Sequence, residues 1–215
     1  PFHVRCIDRV GIAVPEGAKI IIVPAPNGVG KTFGLVAIMA AIMFPTRNPL
    51  FGHSLYQQWP YKKQLRFAST ATNLADSGPF LAAVRELWPR GAYRMQRGAG
   101  KGYYSDIHTE SGFDVDVLTY NQTPQEHAGG TRGAAFMSEP PPRPVLGETL
   151  ARLRAGGPAY LEMTPLTYAA YVKDDYIDKG GLYNDKGEKV GRIEVITGDI
   201  EDNCKDHTPG GQLPH

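Results

Sequence analysis

The stretch Ala25-Pro26-Asn27-Gly28-Val29-Gly30-Lys31-Thr32 decides how the rest of the chain is read. It follows the phosphate-loop pattern G-x-x-x-x-G-K-[ST], with Ala25 in place of the first glycine. Gly28 and Gly30 let successive backbone N–H groups turn inward around phosphate oxygens at the start of a helix. Lys31 then reaches the β and γ phosphates, and the Thr32 hydroxyl is a ligand for Mg²⁺. A Gly-rich surface turn with a solvated lysine is the competing reading, and the flanking sequence weighs against it. Ile20-Ile21-Ile22-Val23, bounded by Gly17 and Pro24, reads as a strand covered on both faces, as in a parallel sheet. Phe33 to Met43 is rich in Ala, Leu, Met and Ile and reads as a buried helix stopped by Pro45. Strand, turn and helix therefore follow in the order a phosphate site needs.

Downstream, Pro45 to Tyr61 reads as a surface excursion before a second strand, Gln64 to Ser69. Asn73 to Leu87 has apolar residues at helical spacing, with Thr72 or Asn73 as cap and Pro89 as stop. Tyr93 to Gln96, Tyr103 to His108 and Phe113 to Tyr120 are expected as an inserted antiparallel element, turned at Glu110-Ser111-Gly112. Gly133 to Met137 is a third apolar strand, followed by a helix from Pro144 to Leu153 and a short strand, Tyr160 to Met163. Leu166 to Ile177 reads as a helix ended by Gly180-Gly181, and Arg192 to Thr197 as the last strand after a turn at Asn184-Asp185-Lys186-Gly187. The expected fold is α/β: a P-loop NTPase with a mainly parallel central sheet flanked by helices, plus the inserted antiparallel β element.

A hydrolytic P-loop enzyme needs a carboxylate at the end of a neighbouring strand, to serve the metal or to deprotonate the attacking water. Glu139, at the end of the strand that closes in Ser138-Glu139-Pro140-Pro141-Pro142, stands where that group belongs. Motor ATPases usually end this strand in Asp-Glu; here an uncharged Ser138 precedes the glutamate. The expected metal contacts are Thr32, Ser138 and Glu139, and a solvent-exposed Glu before a proline turn is the bland alternative.

Composition sets wide bounds. The 215 residues are 41% hydrophobic and 21% charged, ordinary values for a globular domain of this length. Lys and Arg number 23 against 22 Asp and Glu, a net charge of +1, so any nucleic-acid contact must come from a local patch. The densest such stretch is Arg90, Arg94, Arg97 and Lys101, with Tyr93 and Tyr103 interleaved, and a polar hairpin explains it equally well. Cys6 and Cys204 lack metal-ligand spacing and are expected as free thiols of a soluble, intracellular protein. The six histidines show no close pairing, so no metal cluster is assigned and mostly surface or capping roles are expected. The opening at Pro1 and the polar, Pro- and Gly-rich end at His215 read as an excised domain spanning 1–215.

The order of motifs resembles the ATPase domain of tailed-phage large terminases. Phe2-His3 is similar to the end of that family's adenine-recognition segment, and Ala25 to Thr32 to its phosphate loop. Tyr120-Asn121-Gln122 followed by Gly129 or Gly130 resembles the segment before its acidic strand. Phe136-Met137-Ser138-Glu139-Pro140-Pro141 resembles its aromatic-x-Asp-Glu-x-Pro-Pro stretch. Glu162-Met163-Thr164-Pro165-Leu166 resembles its coupling motif, and Gly198-Asp199-Ile200-Glu201-Asp202-Asn203 the turn that closes its ATPase domain.

The resemblance implies that Lys31 and Thr32 hold ATP and Mg²⁺, that Glu139 activates water, and that Thr164 senses the γ-phosphate. It implies double-stranded DNA, a portal protein, a small terminase subunit and a homo-oligomeric ring on the procapsid as partners, in the host cytoplasm. It also implies a C-terminal nuclease domain that these 215 residues do not contain. Phosphoryl transfer gains from a cation on the developing charge; Arg132 is the first candidate and Arg97 the second. A nucleotide-binding module with weak or no hydrolysis, or a P-loop helicase or kinase of another class, are the alternatives.

Overall fold

The computed structural model describes residues 2–47, 53–165, 170–184 and 186–199. In chain order the elements are α1 (Phe2–Ala13), β1 (Ala18–Pro24), α2 (Lys31–Met43), a 3₁₀ turn (Pro45–Arg47), α3 (Ser54–Gln57), β2 (Gln64–Ser69), α4 (Ala71–Leu74), α5 (Pro79–Leu87), β3 (Tyr93–Arg97), β4 (Tyr104–Thr109) and β5 (Asp114–Thr119). They continue with α6 (Pro124–His127), β6 (Ala134–Ser138), α7 (Arg143–Ala151), β7 (Ala159–Met163), α8 (Ala170–Val172) running into a π-helical turn (Lys173–Ile177), β8 (Gly181–Tyr183) and β9 (Lys189–Val195).

All nine strands form one sheet in the order β3-β4-β5-β2-β6-β7-β1-β9-β8. From β5 to β9 each neighbour pair is parallel; β3, β4 and β8 pair antiparallel at the two edges. The β-branched run of β1 is buried on both faces because it lies between β7 and β9 with helices above and below. Parallel pairing also brings the ends of β1, β6 and β7 to one edge of the sheet, where loops meet to form sites in such folds.

One face, carrying Ile21, Val23, Phe67, Phe136 and Tyr160, packs with α1, α2 and α5. Phe136 stacks on Tyr160 at 4.6 Å and Phe67 on Phe80 at 4.0 Å. The opposite face, with Ile20, Ile22, Ala68, Met137 and Leu161, packs with Leu146 of α7 and Val172 of α8. Almost every residue of α2 is buried. At about 1.5–3 kcal/mol per fully buried aliphatic side chain, this packing far outweighs the few tenths lost because Gly30 caps α2 without a side-chain oxygen.

Several expectations need correction. The helix expected over Asn73 to Leu87 is two helices, because Gly78 and Pro79 start a new one; the first is capped by Thr70, which accepts from Asn73 N–H at 3.3 Å. A Cβ on Gly78 would lie 2.3 Å from the Asn73 carbonyl oxygen, so only glycine permits that corner. The expected antiparallel element is present, with β3, β4 and β5 paired antiparallel, and β5 joins it to the main sheet by pairing in parallel with β2. Helix α1, the capped turn α6 and strand β8 add to the expected elements. Phe2, Cys6, Ile7, Val10 and Ala13 bury one face of α1 at helical spacing, and Thr123 with Glu126 forms a capping box on α6.

The described part of the helix expected from Leu166 is π-helical beyond Val172, and Gly180 stops it with φ +59°. Leu166, Asp185, Ile200 to Asn203, Cys204, His207 and His215 lie outside the described residues. Cys6 is a buried thiol. His127 is fully buried, against the expected surface role, with its Nε2 3.1 Å from the Thr119 carbonyl oxygen. Among the described residues no helix is long and apolar enough to cross a membrane.

Candidate active site

The loop from Ala25 to Gly30 joins β1 to α2, and two of its glycines adopt the left-handed conformation, Gly28 with φ +87° and Gly30 with φ +86°. A Cβ on Gly30 would meet the Phe33 Cβ at 3.9 Å, an ordinary contact, so glycine is required there by backbone conformation and not by crowding. Alternation of such residues curls successive N–H groups into an anion-binding nest, in line with the first turn of α2. Lys31 follows, its ammonium held by the Pro26 carbonyl oxygen at 2.9 Å and by Asn27 Oδ1 at 3.5 Å. Burial pushes its pKa down, opposed by the charges of Glu139 and Glu162.

Lys31 and Thr32 border a cleft of about 560 Å³ together with Asn27, Asn73, Ser138 and Glu139. Strand β6 delivers Ser138 and Glu139. Glu139 has φ +65°, the only positive φ outside glycine among the described residues. Its N–H donates to the Glu162 carbonyl oxygen at 3.0 Å, and Tyr120 Oη donates toward its carbonyl oxygen at 2.7 Å. The turned backbone directs the carboxylate to the segment after β7, where Thr164 N–H donates to Oε2 at 3.1 Å. The Thr164 hydroxyl lies 3.1 Å from Glu139 Oε1 and 2.9 Å from Asn27 Oδ1. It thus touches the phosphate loop and the acidic strand at once.

Beneath the cleft floor is a residue absent from the sequence-based candidates. Glu162, on β7, pairs in register with Ser138 on β6 and is 1% exposed. The Ser138 hydroxyl donates to Glu162 Oε1, and the Thr32 hydroxyl donates to the same oxygen at 2.7 Å. Asn73 Nδ2 donates to Ser138 Oγ at 2.5 Å and to Ser69 Oγ at 2.6 Å, which fixes the direction of the hydrogen-bond chain. Glu162 Oε2 is buried without a hydrogen-bond partner. Burial pushes the Glu162 carboxyl up to about 7, against the hydrogen bonds from Ser138 and Thr32 and the charge of Lys31. The signal is present in the sequence as a carboxylate in an otherwise apolar strand, Ala159-Tyr160-Leu161-Glu162-Met163. Nothing in the sequence marks Asn73 as part of the site.

Of the candidate residues, Asn27, Gly28, Gly30, Lys31, Thr32, Ser138 and Glu139 line this one cleft, and Thr164 joins them through hydrogen bonds. Ala25 and Val29 are buried supports of the loop. The arginines stand apart. Arg132 Nε donates to Asp116 Oδ1 at 2.7 Å, beside the fully buried Arg66, which holds Asp116 Oδ2 at 2.9 Å. Arg132 precedes β6 while Ser138 ends it, so the two are about 20 Å apart along extended chain. Arg97 pairs with Asp76 at 2.5 Å and covers the Tyr104 ring at 4.5 Å. With Arg90 and Arg94 it lies exposed at the β3 edge of the sheet.

No family model matches the sequence, and no curated protein matches it. Solved structures do share its architecture. The large terminase of a thermophilic bacteriophage, in complex with ADP, aligns with a TM-score of 0.60 at 17% identity, over 92% of this chain and 45% of that chain. A second crystal form of that protein gives 0.59 at 17% identity, with the same coverage. The fold of this chain is that of a P-loop NTPase, and the chain spans just under half the length of those structures.

Proposed function

We propose that this chain binds and hydrolyses ATP with Mg²⁺ and that hydrolysis drives double-stranded DNA into a viral procapsid. The observation that carries the reading is the meeting of three chain segments at one cleft: Lys31 and Thr32 after β1, Glu139 after β6, and Thr164 after β7. Similarity of fold to a large terminase solved with ADP points the same way.

The residues fit a hard divalent cation, which takes oxygen donors. Hydroxyls of Thr32 and Ser138 and the carboxylate of Glu139 border the cleft, and a buried carboxylate oxygen without a partner lies below them. Bound there, Mg²⁺ would neutralise phosphate charge. In this reading the loop N–H groups and Lys31 bind the phosphates, and the Glu139 carboxylate takes the proton of the attacking water. Thr164 carries one hydroxyl proton for two acceptors, Glu139 and Asn27, so it links the state of the loop to the state of the base.

Arg132 belongs, in this reading, to the site of a neighbouring copy, since within its own chain it stands at the far end of β6. The same reading sets the chain in a ring of copies at a portal, with a small terminase subunit, in the host cytoplasm; of these, the trans-acting arginine itself requires only the neighbouring copy. Ser138, which brings no charge to the metal side, favours a second reading as a nucleotide-binding module with little turnover. Mg²⁺-dependent ATP hydrolysis decides between them. Turnover is expected in the wild type and lost in Lys31→Ala and Glu139→Gln, with nucleotide binding kept in Glu139→Gln. ATP binding without turnover in the wild type leaves only the module.

A further inference from the structure

We propose that Glu162, acting through the hydroxyls of Thr32 and Ser138, supplies the negative charge of the divalent-cation site, a positioning role that the residue at the end of β6 does not fill. The inference rests on the ATP-site reading above and adds to it the residue that sets metal affinity.

Hydroxyl protons of both Thr32 and Ser138 are committed to one oxygen, Glu162 Oε1. Ser138 Oγ already accepts from Asn73, whose amide nitrogen can only donate, and for its own proton the Glu162 carboxylate is a far closer acceptor than Thr32 Oγ1 at 3.4 Å. With their protons turned down toward Glu162, the two hydroxyls present lone pairs to the cleft. Lone pairs bind a cation, whereas an O–H aimed at the cleft would repel one. A carboxylate behind such ligands also raises their electron density, and outer partners of this kind govern affinity nearly as strongly as the ligands.

Side-chain size fits this arrangement. Ser138 and Glu162 are register partners on adjacent strands and face the same side of the sheet. The short serine leaves room for the long glutamate to reach beneath α2 to Thr32. An aspartate at 138 would set a second carboxylate against Glu162, and like charges in contact force one of them to take a proton. The charge therefore stands one strand across the sheet, on β7 in place of β6, and the position on β6 is closed to it while Glu162 remains. A buried carboxylate with one oxygen unpartnered is costly to fold around, which argues against a purely structural role.

The test titrates Mg²⁺ into each protein saturated with a fluorescent ADP analogue and compares this with binding of the analogue in EDTA. In Glu162→Gln, Mg²⁺ affinity is expected to fall about 10- to 100-fold while metal-free binding of the analogue is kept. Thermal melting without metal is expected to be unchanged or raised, because a neutral isostere carries no buried charge. Ser138→Asp alone should not tighten Mg²⁺, and Ser138→Asp combined with Glu162→Gln should recover affinity lost in Glu162→Gln. Unchanged Mg²⁺ affinity in Glu162→Gln overturns the proposal and leaves the ATP-site reading standing. Failure of Glu162→Gln to fold overturns it in favour of a structural glutamate. A wild type that binds no nucleotide, with or without Mg²⁺, removes both.

Discussion

Glu139 and His127 each sit in a conformation or environment that costs free energy, and both adjoin a strand end. Glu139 holds a left-handed backbone, a strain of about 1–2 kcal/mol for a residue with a Cβ. The site offsets it with the Tyr120 hydroxyl, the Glu162 carbonyl and Thr164, so the carboxylate is aimed by its backbone before any substrate arrives. His127 is buried as the neutral ring, and burial lowers its pKa, with a nearby Arg66 charge adding to the fall and the Thr119 carbonyl opposing it. A depressed base binds its proton more weakly folded than unfolded. Its contribution to stability is therefore full above its unfolded pKa of about 6.5 and is lost as pH falls toward the folded value. Thermal melts of His127→Gln, which keeps an N–H for Thr119, should drop less than wild type between about pH 7 and about pH 5.5. Equal drops in the two proteins would contradict the burial of a neutral ring.

At the scale of elements, the spacing of the strands is set at their beginnings. Gly133 before β6 and Gly157 before β7 allow backbones to touch: a Cβ on Gly133 would lie 1.8 Å from the Lys62 carbonyl oxygen, and one on Gly157 1.7 Å from the Gly133 carbonyl oxygen. Gly133 N–H also donates to the Gln64 carbonyl oxygen at 2.7 Å. Alanine at either position must push two strands apart, and a loss of about 2–4 kcal/mol in urea unfolding is expected. Gly147→Ala is the control, since it is exposed on α7 with nothing near its Cβ, and it should be neutral or stabilising by up to about 1 kcal/mol. A Gly133→Ala protein as stable as the control would show that the close approach relaxes freely. The buried Arg66, which also donates to the His127 and Gly129 carbonyl oxygens, fastens the α6 segment to the same edge of the sheet.

For the molecule as a whole, the residues lining the cleft include no arginine, and Lys31 is their one cation. Phosphoryl transfer in P-loop enzymes commonly draws a further cation from a neighbouring subunit. Turnover per chain should therefore rise with protein concentration. Mixing Lys31→Ala chains with Arg132→Ala chains should recover part of the activity that neither has alone, because each supplies what the other lacks. Turnover independent of concentration, with no recovery on mixing, would place the whole reaction within one chain.

The sequence alone determined what depends on neighbours along the chain. Glycine spacing at Gly28 and Gly30 dictates a nest, the β-branched run before it dictates a strand buried on both faces, and β2 lies on the residues expected. The same local rules account for α1, whose apolar residues recur at helical spacing. Tertiary structure decided what depends on residues far apart: that β5 belongs to the main sheet, that Arg132 faces Asp116, and that Thr32, Ser138 and Glu162 share one proton network across 130 positions of chain. Periodicity reports which face of an element is buried, but strand order and register decide which side chains meet there. A carboxylate on β7 can stand behind Thr32, which follows β1, and Ser138, which ends β6, only because β7 lies between those two strands.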